Sequence, residues 1–348
     1  KGLSLVLEAV FPVFSRLGDA TRLSQALVNY VGNAIKFTDS GQISLLVRCL
    51  AEDDDAVLMR FEVADSGIGI PQETPGVFLK GSAHLDWGMK HRLARIFNPK
   101  SGRTVMLAFD HGYIMGPTSG IERIDLRIPP LIDYVDCLMC TRGALRTCIP
   151  PETNKPVVMR CSTGATVLKD LSDEVIGVTV EDALRMNAAA VTTQVCIGAT
   201  HERETLENLA YLINEGNNYG VPTLGVTAVG KELVRDARYL GLACRVVAEL
   251  GAHFVKTYYC EPDFEEVVAG CPVPIVIAGG KKLPEKEALE MAYKAISQGA
   301  MGVDMGRNIF CADDPVAMVQ AVRQVVHEND TPAKAFDLYE TLKHEHAK

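Results

Sequence analysis

Eight near-continuous apolar runs recur through the chain, each followed by a connection long enough to hold a crossover helix. They span residues 104–110, 135–141, 156–161, 189–197, 222–227, 253–259, 274–278 and 302–305. Runs without polar alternation suit strands covered on both faces, as in a parallel sheet. Residues 202–214, 231–250, 284–298 and 315–328 carry helical spacing between them. Eight strand–helix units in roughly 210 residues are the count of a (β/α)8 TIM barrel, an α/β fold. A doubly wound open sheet would place a phosphate fingerprint after its first strand. Phe109-Asp110-His111-Gly112-Tyr113 is not one.

The first seventy or so residues have a different pattern. Residues 18–34 are helical in spacing, with Leu23, Leu27, Val31 and Ala34 on one side. Strand signals follow at 43–49 and 56–63, on either side of the acidic turn Glu52-Asp53-Asp54-Asp55. Three pieces then line up: Gly18-Asp19-Ala20-Thr21-Arg22-Leu23, Asn29-Tyr30-Val31-Gly32-Asn33-Ala34-Ile35-Lys36-Phe37-Thr38, and Asp65-Ser66-Gly67-Ile68-Gly69. Together they resemble the ATP-binding domain of sensor histidine kinases. Asn29 and Asn33, four apart, share a helix face. The resemblance implies Mg²⁺ at Asn33, the adenine amino group at Asp65, and a glycine loop at Gly67 and Gly69. The lid and second glycine-rich loop of such a domain are missing, and the chain changes character by 71–75. We therefore read 1–73 as a truncated α/β segment with a vestigial nucleotide site, and 74–348 as the barrel. A partly formed layer at the N-terminus should be trimmed first by protease.

A net charge of −9 argues against a nucleic-acid or anionic-membrane partner. No apolar run approaches the roughly 20 residues of a membrane span. Glu8 interrupts the apolar stretch at the start, so no signal peptide is expected. Ten scattered cysteines read as reduced thiols of a cytoplasmic protein. Cys137 and Cys140 form the single CxxC, but on a strand they face opposite ways, so no metal is expected.

Barrel active sites form at the C-terminal ends of the strands. Lys256 lies inside the sixth apolar run, where burial disfavours its ammonium form and frees an amine to attack a carbonyl. Asp110, ending the first run, is the expected carboxylate partner, and with His111 the acid/base candidate. Arg142, ending the second run, is a further candidate to bind substrate or phosphate. Gly279, Gly280 and Lys281 follow the seventh, and Gly306 and Arg307 the eighth. Glycines and cations in these two adjacent loops point to a phosphate site. Cys260 reads as a loop thiol just past the sixth strand.

Longer blocks carry a family resemblance over about 76–348. They include Met106-Leu107-Ala108-Phe109-Asp110-His111-Gly112, Leu138-Met139-Cys140-Thr141-Arg142-Gly143, Val255-Lys256-Thr257-Tyr258-Tyr259 and Gly302-Val303-Asp304-Met305-Gly306-Arg307-Asn308-Ile309-Phe310. The chain resembles the DeoC/FbaB-type class I aldolase family, and within it the thiolase branch that processes autoinducer-2. That resemblance implies coenzyme-A-dependent cleavage of a phosphorylated dione to acetyl-CoA and dihydroxyacetone phosphate. Coenzyme A would be a co-substrate, no cofactor would stay bound, and the assembly would be a homo-oligomer. It also implies a Schiff-base role for Lys256, with Gly280, Gly306 and Arg307 holding phosphate. An aldolase acting on ketose phosphates is the alternative. Residues 226–231 lack the tyrosine that fructose-bisphosphate aldolases carry near the end of strand five, which favours the thiolase.

Overall fold

The computed structural model describes residues 2–10, 27, 31, 34–35, 38, 40–52, 57–65, 79–164, 166–230 and 234–347. The chain divides into two compact units, 1–75 and 76–348. In the first unit, β1 (Gly2–Val10), β2 (Ser40–Glu52) and β3 (Val57–Asp65) form one sheet in that order. β1 runs parallel to β2, and β3 antiparallel to it. Both strand signals of this segment thus fall in observed strands. Most of the expected helix at 18–34 lies outside the described residues, and the positions described within it at 27, 31 and 34 are helical.

The second unit is a closed barrel of β4 (Thr104–Ala108), β5 (Cys137–Thr141), β6 (Val157–Arg160), β9 (Ala190–Ile197), β10 (Thr223–Val229), β11 (Phe254–Tyr258), β12 (Ile275–Ala278) and β13 (Gly302–Met305). β9–β10 pairing closes the ring, and all eight neighbouring pairs are parallel. Every expected barrel strand is present. A two-stranded hairpin, β7 (Ser162–Gly164) with β8 (Glu174–Ile176), is inserted after β6.

Alternation along each strand splits the core in two. Met106, Val158, Leu224, Phe254 and Val276 fill the barrel, while Val105, Leu107, Val255, Ile277 and Val303 pack outward against the helices. Cys137 belongs to the inner cluster and Cys140 to the outer one, so the CxxC pair faces opposite ways. The helix Trp87–Ile96 closes the lower end. Leu93, Ile96 and the following Phe97 join the inner cluster, and Phe97 meets Phe254 edge to face at 5.6 Å. Truncating such a buried phenylalanine costs about 3–5 kcal/mol. With that end filled, the opposite end is left for chemistry. Among the described residues no helix is long and apolar enough to cross a membrane.

Candidate active site

Lys256 enters the barrel from β11 and is 9% exposed. Its Nζ lies 2.8 Å from Asp304 Oδ2 and 3.5 Å from Met139 Sδ. These residues come from the second, sixth and eighth barrel strands. Alternate strands supply one layer of inward side chains, which is why they meet. The expected partner, Asp110, is therefore corrected to Asp304. Asp110 follows the end of β4 and reaches Arg160 Nη1 instead, at 3.4 Å.

Asp304 is 1% exposed. Among the described residues its one close polar partner is the Lys256 amine, which acts on the carboxylate both by charge and as a hydrogen-bond donor. Burial pushes the Asp304 carboxyl up, while the Lys256 ammonium pulls it down. His111 begins the short helix Gly112–Met115 and stacks on Phe310, with centroids 5.9 Å apart. Burial holds its imidazole below the usual value; Asp110 opposes this, and Arg307 and Lys256 add to it. A neutral imidazole whose buried Nε2 has no partner among the described residues can accept a proton.

A second buried cluster sits beside this one. Arg160, at the end of β6, donates to Glu174 Oε1 at 2.7 Å and to Ser162 Oγ at 3.0 Å. Glu174 accepts from Tyr113 at 2.5 Å and from Ser162 at 2.7 Å. The hairpin carries Glu174 there. Burial pushes the Tyr113 phenol up and keeps it neutral.

The two glycine loops are adjacent because β12 pairs with β13. Gly280 has a positive φ of 67°. A Cβ on Gly306 would lie 2.2 Å from the Ala108 carbonyl oxygen, so only glycine fits there. Asn308 locks the loops together. Its Nδ2 donates to the Gly279 carbonyl at 2.7 Å, and its Oδ1 accepts from the Leu283 amide at 2.8 Å. Arg307 is half-buried and Lys281 exposed, and neither forms an ion pair among the described residues. Glycine amides beside unpaired cations suit an anion. Arg142 differs. It begins the helix Arg142–Cys148 and is tied to Asp182 at 3.0 Å.

The structure thus brings Lys256, Asp110 and His111 to one mouth. Charge coupling places Arg307 within electrostatic reach of His111. Cys260 is buried just past β11, and burial pushes its thiol up to about 11. Of the expected nucleotide residues, Asn29, Asn33, Gly67 and Gly69 lie outside the described residues. Asp65 ends β3, opposite Ile43, and its side chain lies outside them. Among the described residues no group of three His, Cys, Asp or Glu side chains is placed to hold a metal ion. Sequence reasoning missed Asp304, Glu174 and Asn308 as working residues. Asp304 carried a usable signal, a carboxylate inside an apolar run.

Comparison with known proteins places both segments among known families. The family described as DeoC/LacD family aldolase matches residues 104–312. The histidine kinase-, DNA gyrase B- and HSP90-like ATPase family matches 18–107, running past the expected boundary at 73 into β4. A 3-hydroxy-5-phosphonooxypentane-2,4-dione thiolase of Yersinia pseudotuberculosis is 60% identical over 275 residues, covering 79% of this chain and 94% of its own. An uncharacterized aldolase of Pasteurella multocida is 59% identical, covering 79% of this chain and 95% of its own. An archaeal fructose 1,6-bisphosphate aldolase superposes with a TM-score of 0.63 at 23% identity, over 69% of this chain and 99% of its own, a likeness of fold.

Proposed function

Because this chain belongs to the DeoC/LacD aldolase family, we propose that it uses coenzyme A to cleave 3-hydroxy-5-phosphonooxypentane-2,4-dione to acetyl-CoA and dihydroxyacetone phosphate. The 60% identity to the Yersinia thiolase over 275 residues carries this reading. In this reading each part of the reaction falls to a residue of the candidate site. Glycine amides of the β12 and β13 loops, with Arg307, hold the phosphate. Lys256 engages the carbonyl nearer that phosphate as an electron sink. His111 takes the thiol proton of coenzyme A, and the thiolate adds to the acetyl carbonyl. The carbon–carbon bond then breaks. Its electron pair moves toward Lys256, and the proton is returned to the carbon that becomes the hydroxymethyl group. Asp110, held by Arg160, orients His111.

Three further expectations belong to this reading. Coenzyme A is a dissociable co-substrate. The enzyme works in the cytoplasm, degrading a quorum-sensing signal, and ten cysteines scattered through the sequence without a framework support a reducing compartment. It assembles as a homo-oligomer, supported by exposed Tyr211, Leu242 and Leu250 on the barrel helices.

The test measures dihydroxyacetone phosphate release from the dione and from fructose 1,6-bisphosphate, each with and without coenzyme A. Release from the dione only with coenzyme A is expected. Release from the bisphosphate without coenzyme A would replace the thiolase reading with an aldolase.

A further inference from the structure

Lys256 and Asp304 form a buried pair at the barrel mouth. The Arg160 cluster beside it is saturated with hydrogen bonds. Asp304 is not: both its oxygens are fully enclosed, and among the described residues its one polar partner is the Lys256 amine, 2.8 Å from Oδ2. A carboxylate so placed can exchange a proton with that amine and with little else.

We propose that Asp304 is the proton-transfer partner of Lys256, taking the ammonium proton before the amine adds to the substrate carbonyl and returning it to the hydroxyl that leaves. The inference rests on the carbonyl role given to Lys256 above, and it commits that role to a covalent iminium. In the resting pair the lysine is an ammonium and the aspartate a carboxylate. Proton transfer gives an amine and a carboxylic acid. The amine nitrogen bonds to the carbonyl carbon, and a proton moves from nitrogen to the new oxyanion, giving a neutral carbinolamine. Asp304 then protonates that hydroxyl, which departs as water, and the nitrogen lone pair forms the iminium. The pair ends as iminium and carboxylate, with every proton accounted for. The hydroxyl oxygen is two bonds from the nitrogen that Asp304 already touches.

The acid form is accessible because burial raises the Asp304 carboxyl and the nearby Asp110 carboxylate raises it further. Other groups also face this pair. His111 follows β4, Cys137 is on β5, and Arg160 on β6 faces Asp110. None of these is recorded as donating to either Asp304 oxygen.

The experiment incubates the full chain with dihydroxyacetone phosphate and borohydride and follows the reduced adduct on the Lys256 peptide by mass spectrometry. Wild type is expected to trap. Asp304→Asn should trap roughly a hundredfold more slowly, the usual worth of one general acid. Carbonyl-labelled dihydroxyacetone phosphate should show a tetrahedral carbon accumulating on that variant by ¹³C NMR, which a merely structural role would not produce. Asp304→Glu should recover part of the trapping rate and guards against misfolding of the asparagine variant. Trapping by Asp304→Asn at the wild-type rate would overturn the proposal. So would a wild type that yields no Lys256 adduct. Coenzyme-A-dependent turnover is a separate assay, so failure of the thiolase reading leaves the trapping result to stand or fall alone.

Discussion

Two buried ion pairs share the mouth of this barrel, and they are built oppositely. Arg160 and Glu174 satisfy each other and recruit Ser162 and Tyr113. Lys256 and Asp304 are nearly as buried, yet among the described residues Asp304 has a single polar partner, the Lys256 amine. A saturated pair fixes geometry, because each group has one place to be. An unsaturated pair can give up a proton without dismantling a network. Burial alone therefore does not mark a catalytic charge, whereas burial with spare hydrogen-bonding capacity does.

The sharpest way to break this contrast is to remove one partner from each pair. Lys256→Met should lower turnover by roughly a thousandfold or more, as loss of a covalent group does. Because the Asp304 carboxyl is already pushed up, it can go neutral when its partner is gone. Urea unfolding should then show a far smaller loss for Lys256→Met than for a break in the other pair. An equal loss would erase the distinction.

That other break is Glu174→Ala. It leaves the Arg160 guanidinium buried without its main counter-charge, which costs about 3–5 kcal/mol. The expected result is a lower urea midpoint at unchanged slope. Activity should fall as well, since Asp110 depends on Arg160 for its position.

Arg307→Ala probes a charge with no ion-pair partner among the described residues. No buried network depends on it, so stability should hold while KM for the phosphorylated substrate rises about 10–100-fold, the worth of a charge-assisted hydrogen bond. A matching loss of inhibition by inorganic phosphate would place the effect at the anion site. An unchanged KM would move the phosphate elsewhere, and Arg142 would be tested next.

How legible these differences were follows from the barrel's geometry. All eight strands could be read because each is an apolar run bounded by turns, and pairing with both neighbours needs nothing more from the sequence. Lys256 stood out as a charge inside such a run. Its partner did not, because choosing Asp304 over Asp110 requires knowing that alternate strands share a layer. Glu174 was hidden for another reason. It reaches Arg160 through a hairpin whose short strands carry almost no pattern. Asn308 was in plain view after Gly306-Arg307, but its two bonds to the neighbouring loop exist only once β12 and β13 are paired.

The lower end of the barrel offers the smallest effect and the control for all of these. His253 precedes β11, and its Nδ1 accepts from the Thr223 amide at 3.0 Å. Burial depresses its imidazole to about 4. The unfolded chain, near 6.5, binds that proton more readily, so this histidine's contribution is fully present above pH 6.5 and is lost as pH falls toward about 4. Between pH 7 and 5 the loss should be just under about 2 kcal/mol. His253→Gln should flatten that part of the pH–stability curve while leaving the pH dependence of turnover unchanged. A shift in the turnover profile would mean that the two ends of the barrel are coupled, and the mouth could no longer be treated as a site whose protons are its own.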